Sequence, residues 1–288
     1  MAVFTPRFDT LAGTGYYLGV LAKLAQLQNI LRDSGRTLVA YSGGVDSVFL
    51  AKVAHDTLAG NALAVIADSP SLPRRELTEA LALGRQCGFP VRVVQTGEMG
   101  DDNYRSNPVN RCYFCKSALF TELAGIARAD GWQTIVYGEN ASDTGDFRPG
   151  ATAAKEYQVR APLKEAGLTK AEIRQLSSQL GLPTADKPAM ACLSSRIPYG
   201  EPVAPETLAM IEAAENFLRD TGFNEVRVRH HRNVARIEVG PEELSRFLDA
   251  NLRAKVTQAL QKIGYAYVTL DLLGYRRGST NEVLVKTG

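Results

Sequence analysis

The stretch Ser42-Gly43-Gly44-Val45-Asp46-Ser47 constrains the fold of this chain most strongly, because it joins an apolar β-type run, 37–41, to a helix-type run that begins at Val48. Gly43 and Gly44 lack a Cβ, so the backbone can turn sharply and bring its N–H groups against a ligand. The following helix directs the positive end of its dipole to the same point. The sequence therefore predicts a strand, a glycine turn and a helix that together bind an anion, best of all a phosphate.

Three side chains of this stretch add to the predicted anion site. Ser42 and Ser47 offer hydroxyl donors, and the Asp46 carboxylate is suited to holding a Mg²⁺ ion that bridges phosphates. The spacing is not that of a Walker loop, which needs G-x-x-x-x-G-K followed by Ser or Thr. An ordinary serine-glycine turn is the alternative, but such turns seldom open a helix directly after a buried strand.

Composition narrows the classes of function. The 288 residues include 33 Lys and Arg against 31 Asp and Glu, and the resulting net charge of +2 disfavours a dedicated nucleic-acid binder. Four cysteines are too few for a disulfide scaffold in a chain of this length. The N-terminal residues lack the charged start and apolar core of a signal peptide, and no apolar run reaches membrane-spanning length. We expect a cytoplasmic protein that acts on small charged molecules.

Short apolar runs at 62–67, 91–95 and 134–137 alternate with helical patterns. With the run at 37–41 they give four strand-helix alternations, which predict an α/β protein with a doubly wound parallel sheet. Ligands of such sheets bind beyond the carboxyl ends of the strands, so we expect the backbone at Asp68, after the second strand, to contact adenosine. A plain strand-to-helix turn explains Asp68 equally well.

The exit of the fourth predicted strand, 138–150, is crowded with polar residues at the same edge of the sheet. We assign Gly138 to nucleotide binding and Asn140, Asp143, Asp146 and Arg148 to substrate binding.

Two further segments carry cysteine. A polar loop at 97–111, longer than most connections in α/β units, leads to Cys112 and Cys115 at the start of a predicted helix, where the helix dipole favours thiolate. Their C-x-x-C spacing is typical of a metal or redox pair in a reducing compartment. The second segment, 187–196, combines Cys192 with Ser195 and Arg196 between prolines and is not a simple linker.

From about residue 198 the pattern changes to a smaller α+β domain. It consists of a helix at 205–220, strands at 225–230 and 234–239 around a tight turn, one long helix from Pro241 through 260, and a strand at 266–272. We therefore divide the chain into a nucleotide-binding domain, 1–197, and a substrate-binding and oligomerisation domain, 198–288.

Arg227 and Arg229 share one face of the first of these strands with His231, because side chains of a strand alternate. Two explanations of this row stay open. It is either a solvated charged face or a pair of arginines that binds a phosphate through charge-assisted hydrogen bonds.

Several of these motifs carry a resemblance to known families. The S-G-G-x-D-S turn after a strand resembles the pyrophosphate loop (PP-loop) of the N-type ATP pyrophosphatases, which cleave ATP to AMP and pyrophosphate. Together with 140–150, Cys192-Leu-Ser-Ser-Arg196, the Arg227/Arg229 strand and the ending 271–282, nearly the whole chain resembles the LarE family.

The resemblance implies an ATP-dependent sulfur transferase of nickel-pincer nucleotide biosynthesis, the cofactor of lactate racemase. Its substrate would be pyridinium-3,5-biscarboxylic acid mononucleotide, whose carboxylates are adenylylated and then converted to thiocarboxylates. By resemblance Cys192 is the cysteine of sulfur transfer, and we assign Asp46, Ser195 and Arg196 with it as catalytic. The implied cofactors are ATP and Mg²⁺. The implied partners are the mononucleotide, sulfide or another sulfur donor, and other proteins of the pathway. We expect a homo-oligomer that binds neither nucleic acid nor membrane.

The chain departs from single-cysteine members of this family in carrying Cys112 and Cys115 as well as Cys192. Three thiolates suit a [4Fe–4S] cluster with one iron left to carry an extra sulfide, so we expect the two cysteine segments to converge near the ATP site. Four alternatives stay open: a zinc site completed by water or by His55, His230 or His231, a redox C-x-x-C pair, a sacrificial Cys192 that gives up its own sulfur, and a PP-loop tRNA thiolase.

Overall fold

The computed structural model of the chain describes residues 11–143 and 149–276, with side chains from residue 16 onward. The chain forms two compact units. The first contains the residues up to Asp68 together with Arg75–Thr96 and Lys116–Met190, and the second contains Ser69–Arg74, Gly97–Cys115 and the residues from Ala191 onward. The functional division after residue 197 stays a prediction.

A parallel sheet forms the centre of the first unit. Its strands are β1 (Thr37–Tyr41), β2 (Ala62–Asp68), β3 (Val91–Gln95) and β4 (Thr134–Tyr137), in the order β3-β2-β1-β4, and every pair is parallel. This confirms the predicted α/β class, whereas assignment to the PP-loop class stays a prediction. Because the chain runs outward from β1 to β3 and then returns to the other side of β1 for β4, the strand order reverses between β1 and β4.

Helices flank this sheet: α1 (Leu11–Asp33), α2 (Val45–Leu58), α3 (Arg74–Cys87), the long α5 (Arg111–Asp130), and α6 (Pro149–Glu156), α7 (Pro162–Glu165) and α8 (Lys170–Gln179) after β4. The five residues of β1 are all buried, as is usual for the inner strand of a sheet covered on both faces. Val48, Phe49 and Leu50 of α2 are fully buried, at roughly 1.5–3 kcal/mol for each apolar side chain. The strand and helix ends around the glycine turn are therefore fixed by apolar packing.

The second unit contains the short α4 (Asp102–Arg105), α9 (Pro205–Asp220), β5 (Val226–His231), β6 (Val234–Val239), α10 (Ala250–Ile263) and β7 (Tyr267–Leu270). The strand order is β5-β6-β7, antiparallel between β5 and β6 and parallel between β6 and β7. Apolar side chains of α9, α10 and the sheet, among them Leu218, Val228, Ile237 and Leu260, form one buried core. The predicted hairpin and α+β pattern are confirmed.

The single long helix predicted from Pro241 is wrong. Residues Pro241–Leu248 form a 3₁₀ helix, and the backbone at Asp249 is extended, with φ −68° and ψ 120°. The Asp249 side chain accepts a hydrogen bond from the N–H of Asn251 and so caps a new helix, α10. The helical spacing of apolar residues continues through this break, which explains the prediction of one helix. Asp249, a typical N-cap residue, is the sequence signal that marks the start of the second helix.

No helix in the described ranges is long and apolar enough to cross a membrane.

Candidate functional site

The glycine turn between β1 and α2 has the geometry that its sequence predicts. Gly43 has φ +74°, a value that L side chains rarely adopt, and a Cβ on it would lie 2.8 Å from the Cβ of Ala80. Gly44 is the N-cap of α2 and provides no capping side chain, while the first turn of the helix carries Asp46. The N-terminal N–H groups of α2 therefore have no side-chain cap from Gly44, as an anion site requires.

The two serines of the turn are held by the turn itself. The Ser47 hydroxyl donates to the Gly44 carbonyl at 3.0 Å and accepts from the N–H of Ser42 at 3.2 Å. The two hydroxyl oxygens lie 3.1 Å apart. These bonds fix the loop before any ligand binds, which lowers the entropy cost of ligand binding.

Gly138, directly after β4, lies against the start of α2. A Cβ on Gly138 would lie 3.1 Å from the Ser47 nitrogen and 3.2 Å from the Asp46 Cβ. A larger residue would press on the helix start and displace it by a few tenths of an ångström, so packing favours glycine here. This contact lies where the strand order reverses between β1 and β4, the position at which open α/β sheets bind ligands.

Asp46 is paired with a lysine that sequence reasoning missed. The Lys170 ammonium lies 2.5 Å from one Asp46 oxygen, and the Asn140 amide donates to the other at 3.4 Å. Lys170 is the first residue of α8, directly after the N-cap residue Thr169, which forms a capping box with Glu172. The capping box located the helix start, but no sequence signal linked Lys170 to a carboxylate 124 residues away.

The other predicted residues of this unit lie at the same edge of the sheet. The Asn140 N–H donates to Asp143 at 3.1 Å, and the N–H of Ser142 donates to the Asn140 side chain at 2.9 Å, which makes a tight polar turn. Asp68 ends β2 and accepts from Gln95 of β3 at 2.8 Å. Asp146 and Arg148 lie outside the described residues. Ligand contacts of all these residues stay predictions.

The three cysteines of the predicted cluster belong to the second unit. Cys112 is exposed, whereas Cys115 and Cys192 are half-buried. Cys192 precedes a 3₁₀ turn, Leu193–Arg196, which is anchored by a bond from the Leu193 N–H to the Ser71 carbonyl at 2.8 Å. The segment around Cys192 is thus a structured turn and not a simple linker.

Arg111 lies next to both cysteine segments, and sequence reasoning did not single it out. It is the first residue of α5 and is 4% exposed. Its guanidinium donates to the Ser194 carbonyl at 3.0 Å and to the Asn107 side chain. Burial by itself lowers the pKa of Arg111, but the combined electrostatic effects of Cys192, Cys112, Tyr104 and Tyr199 outweigh burial and raise the pKa.

Two tyrosines interact with the same thiols. The Tyr104 hydroxyl lies 2.7 Å from the Ser194 hydroxyl, and burial, with a smaller contribution from the charge of Cys192, raises its pKa. Burial also raises the pKa of Tyr199, together with the charges of Cys112 and Cys192 and against the effect of Arg111. The charges of Cys112 and Cys192 therefore both act on Arg111 and on Tyr199.

No three or more His, Cys, Asp or Glu side chains in the described ranges are arranged so that they could hold a metal ion. Iron–sulfur clusters are held by thiolates, and all three thiols belong to one compact unit. Cluster binding by these cysteines stays a prediction.

Arg196, predicted to be catalytic, shapes the turn around Cys192. It is 2% exposed, binds Glu215 at 2.8 and 3.1 Å, and donates to the carbonyls of Ala191 at 2.9 Å and Cys192 at 3.0 Å. The Ser195 hydroxyl donates to the same Cys192 carbonyl at 2.8 Å. Burial raises the pKa of Glu215, but the charge and hydrogen bonds of Arg196, together with the charges of Arg219 and Arg227, outweigh burial and lower the pKa.

Arg227 and Arg229 differ in their surroundings although they lie on the same strand. Arg229 is 7% exposed and donates to Glu238 at 2.8 Å and to the Ser195 carbonyl at 2.9 Å, so it does not belong to a solvated face. The Arg227 guanidinium lies 4.9 Å from the centre of the Tyr275 ring, and burial, followed by the charge of Arg196, lowers its pKa. Phosphate binding by this pair stays a prediction.

Comparison with known proteins identifies the family. The chain is 37% identical over 265 residues to the pyridinium-3,5-bisthiocarboxylic acid mononucleotide synthase of Lactiplantibacillus plantarum, covering 92% of this chain and 95% of that protein. The chain belongs to the LarE family. An uncharacterized protein of Synechocystis sp. is 48% identical over 92% of this chain and 99% of its own length. An uncharacterized protein of Methanocaldococcus jannaschii is 26% identical over 89% of this chain and 98% of its own length, and no family model matches the chain.

Membership in the LarE family rests on similarity along nearly the whole chain, so both compact units have counterparts in the relatives. The resemblance to the LarE family therefore rests on the length of the chain and not only on the glycine turn, the Cys192 segment and the β5 arginines.

Proposed function

We propose that this LarE protein is an ATP-dependent sulfurtransferase. It adenylylates the carboxylates of pyridinium-3,5-biscarboxylic acid mononucleotide and converts them to thiocarboxylates, with sulfur delivered through a [4Fe–4S] cluster held by Cys112, Cys115 and Cys192. The observation that carries the proposal is the similarity to a synthase named for the bisthiocarboxylate product. The gathering of the three cysteines in one unit supports the sulfur step.

The first unit would perform the activation step. The N–H groups at the start of α2 bind the phosphates, and Ser42 and Ser47 add donors. Asp46, which pairs with Lys170 in the structure, would hold a Mg²⁺ ion, and that ion would supply positive charge next to the phosphates. Lys170 would stabilise the negative charge that develops on the leaving pyrophosphate as the carboxylate attacks the α-phosphorus.

The second unit would position the sulfur and the substrate. When bound, the cluster supplies an open iron that carries an exchangeable sulfide. Arg111 and Arg196 hold the two cysteine segments in place through the carbonyls of Ser194, Ala191 and Cys192. Arg227 and Arg229 bind the phosphate of the mononucleotide, which orients its ring.

The test is anaerobic reconstitution with iron and sulfide, followed by incubation with ATP and the biscarboxylate mononucleotide. We expect AMP, pyrophosphate and, by mass spectrometry, a thiocarboxylate product over several turnovers when sulfide is supplied. Alanine in place of Cys112, Cys115 or Cys192 should abolish iron binding and turnover. Cys87→Ala is the matched control, because Cys87 ends α3 in the first unit and should be dispensable.

Other outcomes would contradict the proposal in distinct ways. ADP and orthophosphate as products would overturn the adenylylation step. Conversion of Cys192 to dehydroalanine after one round, with Cys112 and Cys115 dispensable, would identify a sacrificial donor. Thiolated tRNA in place of thiolated mononucleotide would identify an RNA-modifying enzyme.

A further inference from the structure

Arg111 is a buried cation without a carboxylate partner among the described residues. Its polar contacts are the neutral carbonyl of Ser194 and the neutral side chain of Asn107, and its side chain lies 5.9 Å from the centre of the Tyr199 ring. A buried charge is normally paired, because leaving water without a countercharge costs several kcal/mol.

The contacts of Arg111 join two segments that are distant in sequence. Arg111 immediately precedes Cys112 on α5, whereas Ser194 lies two residues after Cys192 and 83 residues along the chain from Arg111. Asn107 extends this connection, since its amide donates to the carbonyls of Pro198 at 2.7 Å and Glu201 at 2.9 Å. Buried polar contacts of Arg111 therefore join the two cysteine segments, beside the Tyr104–Ser194 contact and the apolar packing of Leu193.

We propose that Arg111 is a positioning residue for the sulfur chemistry: its guanidinium ties the start of α5, with Cys112 and Cys115, to the turn that carries Cys192. Arginine suits this role because its planar guanidinium carries several N–H donors in a fixed arrangement. These donors reach both the Asn107 oxygen and the Ser194 carbonyl. This role rests on the proposed function, but its test does not require turnover.

The test measures how readily Cys112 and Cys192 are joined by a short thiol-specific cross-linker in metal-free, folded protein. Cys87 and Cys115 are replaced by serine for this measurement. A second background, with Cys87 and Cys192 replaced by serine, reports the Cys112–Cys115 pair, whose spacing is set by α5 alone. The measured quantity is the yield of the Cys112–Cys192 cross-link divided by the yield of the Cys112–Cys115 cross-link. This ratio distinguishes a movement of the two segments from a general loss of structure, which lowers both yields.

We expect Arg111→Met to lower this ratio about tenfold or more, as loss of a charge-assisted hydrogen bond predicts. Arg111→Lys should lower it less, because lysine keeps the charge but not the fixed arrangement of donors. Arg105→Met is the control: the Arg105 side chain is half-exposed, contacts Asp102 at 3.4 Å, and should leave the ratio unchanged. Iron bound per chain after reconstitution should fall in the same order.

A parent protein that forms no Cys112–Cys192 cross-link would overturn the proposal, and so would an unchanged ratio in folded Arg111→Met. If Arg111→Met loses both cross-links because it does not fold, Arg111→Lys decides, and a ratio equal to that of the parent then overturns the proposal. Failure of thiocarboxylate formation with the ratio lowered as expected would contradict the proposed function and leave the positioning role intact.

Discussion

Gly138→Ala tests whether the close approach of β4 to the start of α2 shapes the nucleotide site. The added methyl group would lie 3.1 Å from the Ser47 nitrogen and 3.2 Å from the carbonyl carbon of Asp46. Ordinary carbon contacts are about 3.5–4.0 Å, so the two segments must separate by a few tenths of an ångström. The neighbouring atoms are mostly backbone and cannot turn away as a flexible side chain would.

The magnitude follows from two opposing terms. Overpacking costs about 1–3 kcal/mol, and the reduced freedom of the unfolded chain returns about 0.4–1 kcal/mol, which leaves a net loss of roughly 0–2.6 kcal/mol, near 1 kcal/mol at the middle of the range. The shift also moves the N–H groups that are proposed to bind phosphate. Because a misplacement of about 1 Å can cost about 10²-fold in rate, we expect a roughly three- to tenfold slower release of pyrophosphate.

The assays are thermal unfolding and pyrophosphate release with saturating mononucleotide. Gly125→Ala is the matched control, since Gly125 lies inside α5 and a Cβ there would meet nothing within 4 Å. This control should gain up to about 1 kcal/mol from helix propensity and keep its rate. If Gly138→Ala matches the control in both assays, the packing argument is wrong; a lower melting temperature with an unchanged rate would mean that the contact stabilises the fold without shaping the site.

Three further substitutions test the charged groups. Asp46→Asn should slow formation of AMP and pyrophosphate by about 10²-fold or more, measured by chromatography of the nucleotides, while the melting temperature changes little. Lys170→Met should lower the same rate, and added Mg²⁺ should not restore it if the lysine contacts the leaving pyrophosphate. Glu215→Gln should cost about 3–5 kcal/mol in the free energy of unfolding, because it leaves Arg196 buried without its countercharge. Folding lowers the pKa of Glu215, so the stability that the Glu215 carboxylate contributes is fully present above the unfolded pKa of about 4.3. This stability is lost as pH falls through the folded pKa. The free energy of unfolding of the variant should therefore depend less on pH in the acid range than that of the parent.

The parallel sheet could be predicted because its strands are short apolar runs bounded by turn residues. The strands Val91–Gln95 and Thr134–Tyr137 begin and end where the sequence predicts. The capping box at Thr169 was equally readable, since both of its bonds lie within four consecutive residues. Local chemistry determines these features, so a local pattern reveals them.

The parts of the site that escaped prediction depend on long-range pairing. Lys170 and Asp46 are 124 residues apart, and Arg111 and the Ser194 carbonyl are 83 residues apart. Arg111 also lay at the end of a loop whose many polar residues gave no reason to choose one of them. Arg111 becomes a functional candidate because its charged side chain is buried, and its burial can be seen only in the folded structure.

The second unit concentrates positive charge in a way that whole-chain composition does not reveal. Arginine side chains converge there on a few buried carboxylates: Arg196 and Arg219 pair with Glu215, Arg227 adds its charge to that group, and Arg229 and Arg236 pair with Glu238. Five guanidinium groups thus surround two fully buried carboxylates, and one of them, Arg236, also pairs with Asp271. The net charge of +2 averages this cluster over the entire chain. If the phosphate of a mononucleotide binds next to Arg227, as proposed, its negative charge would join these carboxylates in offsetting the arginine charges through charge-assisted hydrogen bonds.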